Sequence, residues 1–377
     1  MSMKGTGEEM GERTDLRKAY RIAVVPGDGI GPEVIREGLK VLRVALAKSG
    51  APECAFVEVA AGAALYRDTG VAFPEDSRTT CAEADAVFLG ATGLPEVRLP
   101  DGTGVSIAWE LRKSLTLFAA VRPVRLFHAD HCPLKGKAAG QVRLTIVREN
   151  TEGIYASRWA GTTLHDEVAV NPIVITRRAT ERSVRCAFDL ARRGPGAPSD
   201  GRRRVTCVDK SNVLACWALF RQVFYEIGAE YPEIEKDAVY IDAMTVHLVR
   251  QPERFDVVVT ENQHGDILSD LCAALVGGLG FAPSANLGAH RGMFEPSHGT
   301  APDIAGKSLA NPVATILTGA LMLDWLAAEH GDARLAAAAD RIEEATARVL
   351  TAGRVRTADI GGTAATSAMG DAIAEAL

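Results

Sequence analysis

The sequence predicts an α/β fold built on a largely parallel sheet with helices on both faces. Two observations lead there. Short apolar runs alternate with helical stretches along most of the chain, as strands buried on both sides and joined by crossover helices do. With 377 residues, 47% of them hydrophobic and 24% charged, the chain is globular in composition and long enough for about two domains. A core of that size needs no disulfide or metal staple. The seven cysteines form no CxxC pair, so neither staple is indicated.

Residues 21–25 read as a strand ending at Pro26. The turn Gly27-Asp28-Gly29-Ile30-Gly31 then opens a helix: Pro32 suits its first turn, and Glu33 complements the dipole there. Ile35, Leu39, Leu42 and Leu46 recur at helical spacing until Ser49-Gly50. The three glycines resemble a dinucleotide-binding loop, but their spacing is GxGxG rather than GxGxxG. No acidic residue closes a second strand about 20 residues on, so a Rossmann site is not expected and the turn reads as a tight bend at a ligand cleft. Residues 86–90, 142–147, 205–208, 238–241 and 255–260 are further strands. Residues 192–204, rich in Gly, Pro and Arg, read as an exposed loop, and 334–377 as helices interrupted at 359–362.

The formal net charge of −6 argues against a nucleic-acid or anionic-membrane partner. The first twenty residues lack an apolar core, so no secretory leader is expected. The stretch 308–323 is too short and too polar to span a bilayer, and a cytoplasmic location is the expectation. Basic residues divide into 32 Arg and 10 Lys, so a lone Arg says little while a Lys within an apolar segment says more.

Candidate chemistry gathers where strands end. Arg148, Asp209-Lys210 and Glu261-Asn262 each follow an apolar run, and ligands of open α/β sheets bind at the carboxyl ends of strands. Lys210 suits proton abstraction there. A helix starting near Asp266 carries Leu268, Leu271, Cys272 and Leu275 on one stripe, with Asp266 and Asp270 at i and i+4 on the other side. That pair reads either as a solvated polar face or as an oxygen site for a hard cation, Mg²⁺ or Mn²⁺. Asp242, ending the run at 238–241, completes such a site. The segment from His298 to Asp303 and Asn311-Pro312 reads by itself only as a structured loop. No HExxH or GxSxG pattern occurs, so a hydrolase lacks its nucleophile.

Six ordered motifs carry a resemblance: VVPGDGIGPEV at 24–34, LRKSLTLFAAVRP at 111–123, IVRENTEGIYAS at 146–157, VDKSNVL at 208–214, ENQHGDILSDL at 261–271 and EPSHGTAPDIAGKSLANP at 295–312. From about Ile22 to the C-terminus the chain resembles the β-decarboxylating dehydrogenases, the family of isocitrate, 3-isopropylmalate, homoisocitrate and tartrate/D-malate dehydrogenases. The resemblance implies an isopropylmalate dehydrogenase-like three-layer fold with a mixed sheet. A large domain would comprise 1–117 and 277–377, a small one 118–276, with the site between them. It implies NAD and Mg²⁺ or Mn²⁺ as cofactors, and a homodimer whose sites borrow Lys210 and Asp242 from the partner. Arg112, Arg122 and Arg148 match the arginines that hold malate carboxylates, and Tyr155 and Lys210 the catalytic pair. Asp242, Asp266 and Asp270 match the metal ligands; Asn262, His298, Gly299, Asp303, Ile304 and Asn311 fall on cofactor positions.

The implied reaction is oxidative decarboxylation of a (2R)-malate, 3-substituted, to a 2-oxo acid, CO₂ and NADH. The isopropylmalate branch has leucines three and four residues before the first arginine, where this chain has Trp109 and Ala108. Ser106 matches a substrate-binding serine of the isocitrate and homoisocitrate branch, where it meets the distal carboxylate, but the asparagine that accompanies it in isocitrate enzymes is replaced by Ala108. The substrate therefore stays open among the isopropylmalate, isocitrate/homoisocitrate and tartrate/D-malate types. The alternative, a non-catalytic regulatory paralogue, typically lacks metal or arginine positions, and none is missing here.

Overall fold

The computed structural model describes residues 19–158 and 160–377; the segment expected to hold no leader lies outside the described residues. The chain begins with β1 (Ala19–Gly27), α1 (Gly31–Lys48), β2 (Glu53–Glu58), α2 (Ala63–Thr69), α3 (Glu75–Glu83) and β3 (Ala86–Ala91). There follow α4 (Ile107–Ser114), β4 (Ala119–Arg125), β5 (Arg143–Glu149), the hairpin strands β6 (Thr162–Leu164) and β7 (Val168–Val170), and α5 (Arg177–Arg193). Then come β8 (Arg204–Asp209), α6 (Ala215–Gly228), β9 (Glu235–Tyr240), α7 (Ile241–Arg250), β10 (Val257–Thr260) and α8 (Asn262–Ala274). Strands β11 (Ala285–Leu287) and β12 (Gly292–Phe294) precede the terminal helices α9 (Val313–His330), α10 (Ala333–Ala352) and α11 (Thr366–Ala376).

Ten strands form one mixed sheet in the order β2-β1-β3-β12-β11-β4-β5-β10-β8-β9. Both wings are parallel, and the antiparallel pairings fall in the middle, β12 with β11, β11 with β4 and β4 with β5. Helices cover both faces, as alternation along single strands shows. Ile22 and Val24 of β1 join a core under α1, α9, α10 and α11, while Ala23 and Val25 join one under α2, α3 and α4. In the other wing Val258 of β10 faces α7 and α8, and Val257 and Val259 face α5 and α6. The sheet is thus the middle of three layers.

The glycine turn has its own cause. Gly29 sits at φ 59°, and a Cβ there would lie 2.1 Å from the carbonyl oxygen of Thr300. Its neighbour Ile30 donates to that same oxygen at 2.9 Å. Asp28 is buried and accepts from the backbone N–H groups of Ala63, Ala64 and Gly93 at 2.7–2.8 Å. The turn is therefore a bracket between distant segments, not a Rossmann phosphate loop.

Several boundaries differ from expectation. Arg148 lies inside β5 rather than after it, and Asp242 belongs to the first turn of α7. Helix α8 starts at Asn262 because the Glu261 side chain accepts from the N–H groups of Gln263 and His264, so Asp266 sits past the first turn. The 192–204 segment is only partly loop, since α5 runs to Arg193 and Ala197 is buried. Among the described residues no helix is long and apolar enough to cross a membrane.

Candidate active site

The site grows from the contact between α8 and β5. A Cβ on Gly265 would fall 2.6 Å from the Cβ of Arg148, so only glycine lets the helix lie this close to the strand. Asn262 and Asp266, one turn apart on α8, then both reach Arg148. The Asn262 Oδ1 accepts from Arg148 Nε at 2.9 Å and Nη2 at 2.6 Å, and Asp266 Oδ1 accepts from Nη1. Tyr155 donates from its hydroxyl to the other Asp266 oxygen at 3.1 Å, and the Arg148 guanidinium carbon lies 5.7 Å from the Tyr155 ring centre.

Two more arginines converge. Arg122, on β4, donates to Ser269 Oγ at 2.6 Å and stands 3.6 Å from Asp266 and 3.8 Å from Asp270. Arg112, on α4, pairs with Glu295 at 2.7 Å. Burial pushes the Arg148 guanidinium down to about 9, and the neighbouring charge of Arg122 adds to that. Burial first, and Arg112 second, lowers Arg122 as well. Among the described residues the buried Nε atoms of Arg112 and Arg122 have no hydrogen-bond partner. Crowded cations with unused donors are matched to carboxylates of a bound acid. Tyr155 moves upward through burial and then the Asp266 charge, so its phenol holds its proton at neutral pH.

The Asp266 and Asp270 carboxylates are 38% and 57% exposed, so hard oxygen donors face solvent beside the arginines. That donor set fits Mg²⁺ or Mn²⁺. Their mutual repulsion is answered here by Arg122. Asp242 does not join them: among the described residues no three His, Cys, Asp or Glu side chains assemble to hold a metal. It pairs instead with Lys210, Nζ to Oδ1 at 2.7 Å, at the β8–β9 end of the sheet. Below Lys210 the buried Asp209 is clamped by Arg221 at 2.7 and 3.0 Å, which fixes the turn. Close in sequence to this pair, Val213, Leu214, Tyr240 and Val246 are exposed by 37–61%.

The 298–311 loop lies against the glycine turn and α1. Ile304 packs with Ile30, Val34 and Ala310, and Glu33 accepts from the Gly306 N–H. Asn311 is spent on structure, donating to Asp359 at 3.0 Å and accepting from Val313 N at 3.0 Å. Asp303 is exposed, its backbone carbonyl accepts from Lys307 Nζ at 2.7 Å, and among the described residues its carboxylate forms no hydrogen bond or ion pair. His298 accepts or donates at Gly299 O at 3.0 Å, while its Nε2 is buried without a partner and burial lowers its pKa. A free carboxylate and an unused ring nitrogen fit a ribose and its hydroxyls. Ser106 is the N-cap of α4, accepting from Trp109 N at 3.4 Å.

Sequence reasoning missed Glu295 and Ser269, the partners of Arg112 and Arg122. Both stand inside quoted motifs, between or beside residues already singled out, and position was their only signal.

Residues 21–373 match the family model described as isocitrate/isopropylmalate dehydrogenase. The chain is 41% identical over 357 residues to a 3-isopropylmalate/3-methylmalate dehydrogenase of Methanocaldococcus jannaschii, covering 94% of this chain and 98% of that one. It is 42% identical over 367 residues to the decarboxylating D-malate dehydrogenase of Escherichia coli, covering 95% and 98%. The crystal structure of isocitrate dehydrogenase from Methylococcus capsulatus superposes with a TM-score of 0.81 at 38% identity, covering 95% of this chain and 99% of that one.

Asn262→Ala strips two buried Arg148 donors of their acceptor. Urea unfolding without any ligand should show a loss of about 1–3 kcal/mol. A loss under about 0.5 kcal/mol would mean that the amide does not hold Arg148.

Proposed function

Because this chain belongs to the isocitrate/isopropylmalate dehydrogenase family, and is therefore a decarboxylating hydroxy-acid dehydrogenase, we propose that its substrate is a (2R)-malate, substituted at C3. The products are a 2-oxo acid, CO₂ and NADH. The observation that carries this reading is the convergence of the buried Arg122 and Arg148 with the half-buried Arg112, where among the described residues the Nε atoms of Arg112 and Arg122 have no hydrogen-bond partner.

The trio holds the two malate carboxylates, and the planar guanidinium forks fix which face of C2 is presented. Lys210 removes the hydroxyl proton as C2 is oxidised to the ketone. The bond from C3 to its carboxylate then breaks, its electron pair moving into the C2–C3 enolate as CO₂ leaves. Tyr155 keeps its proton at neutral pH and delivers it to C3. When bound, NAD at Asp303 and Ile304 supplies the hydride acceptor, and Mg²⁺ or Mn²⁺ held by Asp266, Asp270 and Asp242 of the partner subunit supplies a Lewis acid.

Lys210 pairs with Asp242 and not with Tyr155 or Asp266 in the single chain. The exposed apolar side chains close in sequence to that pair, and Leu164, Val168 and Val170 on the β6–β7 hairpin, support a homodimer in which each site takes Lys210 and Asp242 from the partner subunit. The sheet order, with β1–β3, β11 and β12 in one wing, supports a large domain of 1–117 and 277–377 and a small one of 118–276.

A spectrophotometric screen of malates with NAD and Mg²⁺ or Mn²⁺ tests the chemistry, and EDTA should abolish turnover. Lys210→Met should lower kcat by about 10²–10⁴-fold, as loss of a general base does. Mixing Lys210→Met with Asp266→Asn chains under subunit exchange should restore roughly a quarter of wild-type activity, since half of the dimers then hold one intact site. No restoration would show that each site is built within one chain.

The exposed Asp303 carboxylate can accept from a ribose 2′-hydroxyl, a charged-acceptor bond worth about 1.5–3 kcal/mol. Against a 2′-phosphate it meets a like charge, on the order of 4 kcal/mol at about 4 Å. NAD should therefore be preferred over NADP by about a hundredfold or more, and Asp303→Lys should relax the preference. Comparable kcat/KM with both cofactors would remove Asp303 from the ribose.

A further inference from the structure

Arg112 stands on α4, whereas Arg122 and Arg148 stand on β4 and β5, beyond the domain boundary proposed between 117 and 118. Their mutual placement depends on what joins the two sides of that boundary. A continuous chain of polar side chains does so, and it ends on Arg112.

Asn150, in the turn after β5, is fully buried. Its Nδ2 donates to the carbonyl oxygen of Leu117 at 3.2 Å and to Asn286 Oδ1 at 2.9 Å. Asn286, on β11, is fully buried too, and its own Nδ2 donates to Glu295 Oε1 at 2.9 Å. The same Glu295 oxygen accepts from Arg112 Nη2 at 2.7 Å. In the sheet Asn286 stands opposite Ala120 of β4, whose methyl group leaves room for the amide.

The direction of each bond is fixed by the two ends of the chain. The Leu117 carbonyl and the Glu295 carboxylate can only accept, so each asparagine must turn its NH₂ group towards one of them. Turning either amide round sets like against like and breaks the chain. Glu295 Oε1 is therefore held from two sides, and one end of the Arg112 fork is tied to it. The Arg112 Nε stays without a hydrogen-bond partner among the described residues, so the fork is fixed and still has a donor to offer.

We propose that Asn286 is a positioning residue for the reaction: with Asn150 it fixes Glu295, and through Glu295 it sets the Arg112 guanidinium relative to Arg122 and Arg148. Asn286 does not itself contact the substrate. This rests on Arg112 holding a malate carboxylate, as read above. A loosened fork must be ordered when the acid binds, which weakens binding of the acid. The proton donor is spared, because Tyr155 is tied to Asp266 and not to this chain.

The test uses D-malate, isocitrate, homoisocitrate and 3-isopropylmalate with NAD and Mn²⁺, and the acid with the highest wild-type kcat/KM is the probe. Asn286→Ala should raise KM for that acid about 10-fold, within what one charge-assisted hydrogen bond carries, and leave kcat within about twofold of wild type. Asn286→Asp keeps the shape but meets Glu295 with an acceptor instead of a donor, so it should be at least as impaired. Asn286→Ser restores a hydroxyl donor and should recover part of the loss. In an Arg112→Gln background Asn286→Ala should raise KM by less than about twofold, because both act through one group.

KM does not depend on the active fraction, so a variant that folds incompletely still reports, and Asn286→Ser carries the comparison where Asn286→Ala yields no folded protein. A wild-type KM in Asn286→Asp, a fall in kcat with KM for the acid unchanged, or as large a rise in KM without Arg112 as with it overturns the proposal while leaving the dehydrogenase reading intact. Turnover of none of the four acids overturns that reading and the proposal with it.

Discussion

Like charges packed out of water repel strongly, and three guanidinium groups are packed here within one junction of the sheet. Arg122 and Arg148 sit on adjacent antiparallel strands, where the register sets Arg122 opposite Ile146 and Arg148 opposite Ala120. They are diagonal neighbours on one face. The small Ala120 leaves room for Arg148, and Gly265 admits α8 on the other side. The nearest acceptors are then committed: Asn262 and Asp266 to Arg148, Ser269 to Arg122, Glu295 to Arg112. Three carboxylates thus balance three guanidinium charges in the free protein, while the Nε donors of Arg112 and Arg122 stay without a partner among the described residues.

The same constraint explains a division of labour. Groups that must stay fixed relative to the arginines, Tyr155 and Asp266, are tied to them by direct contact. Lys210 and Asp242 stand apart, in a pair at the edge wing, where apolar side chains close in sequence are exposed. An ammonium paired with Asp242 at that wing is set apart from the three guanidinium groups and adds no charge to their cluster.

Motifs with a local physical cause were legible from the residues: the Pro32 start of α1, the alternation that buries β1 on both faces, the glycine bend and the i, i+4 aspartates. What stayed hidden depends on distant partners. That Gly29 is forced by the Thr300 carbonyl, or that Glu295 neutralises Arg112, cannot be read from spacing, because each pair joins segments far apart in the chain. The start of α8 was misplaced because its cap is Glu261, a residue outside the usual capping set. The aspartate pair left its role open, since Arg122 answers its repulsion whether or not a metal does.

The position of β11 and β12 bears on how the molecule is made. These short strands, from residues 285–294, stand between β3 and β4 and, among the described residues, are the sheet's only link from one wing to the other. On the ribosome β4, β5, β8, β9 and β10 can all pair before that link is synthesised, whereas β1, β2 and β3 cannot join them. The first strands to emerge, with β3 buried along its whole length in the finished protein, must wait for nearly two hundred residues more before their inner edge is covered. An unpaired apolar edge held that long invites association with other nascent chains. The nascent chain should thus depend most on chaperones in the interval when its middle is already folded and its beginning is not.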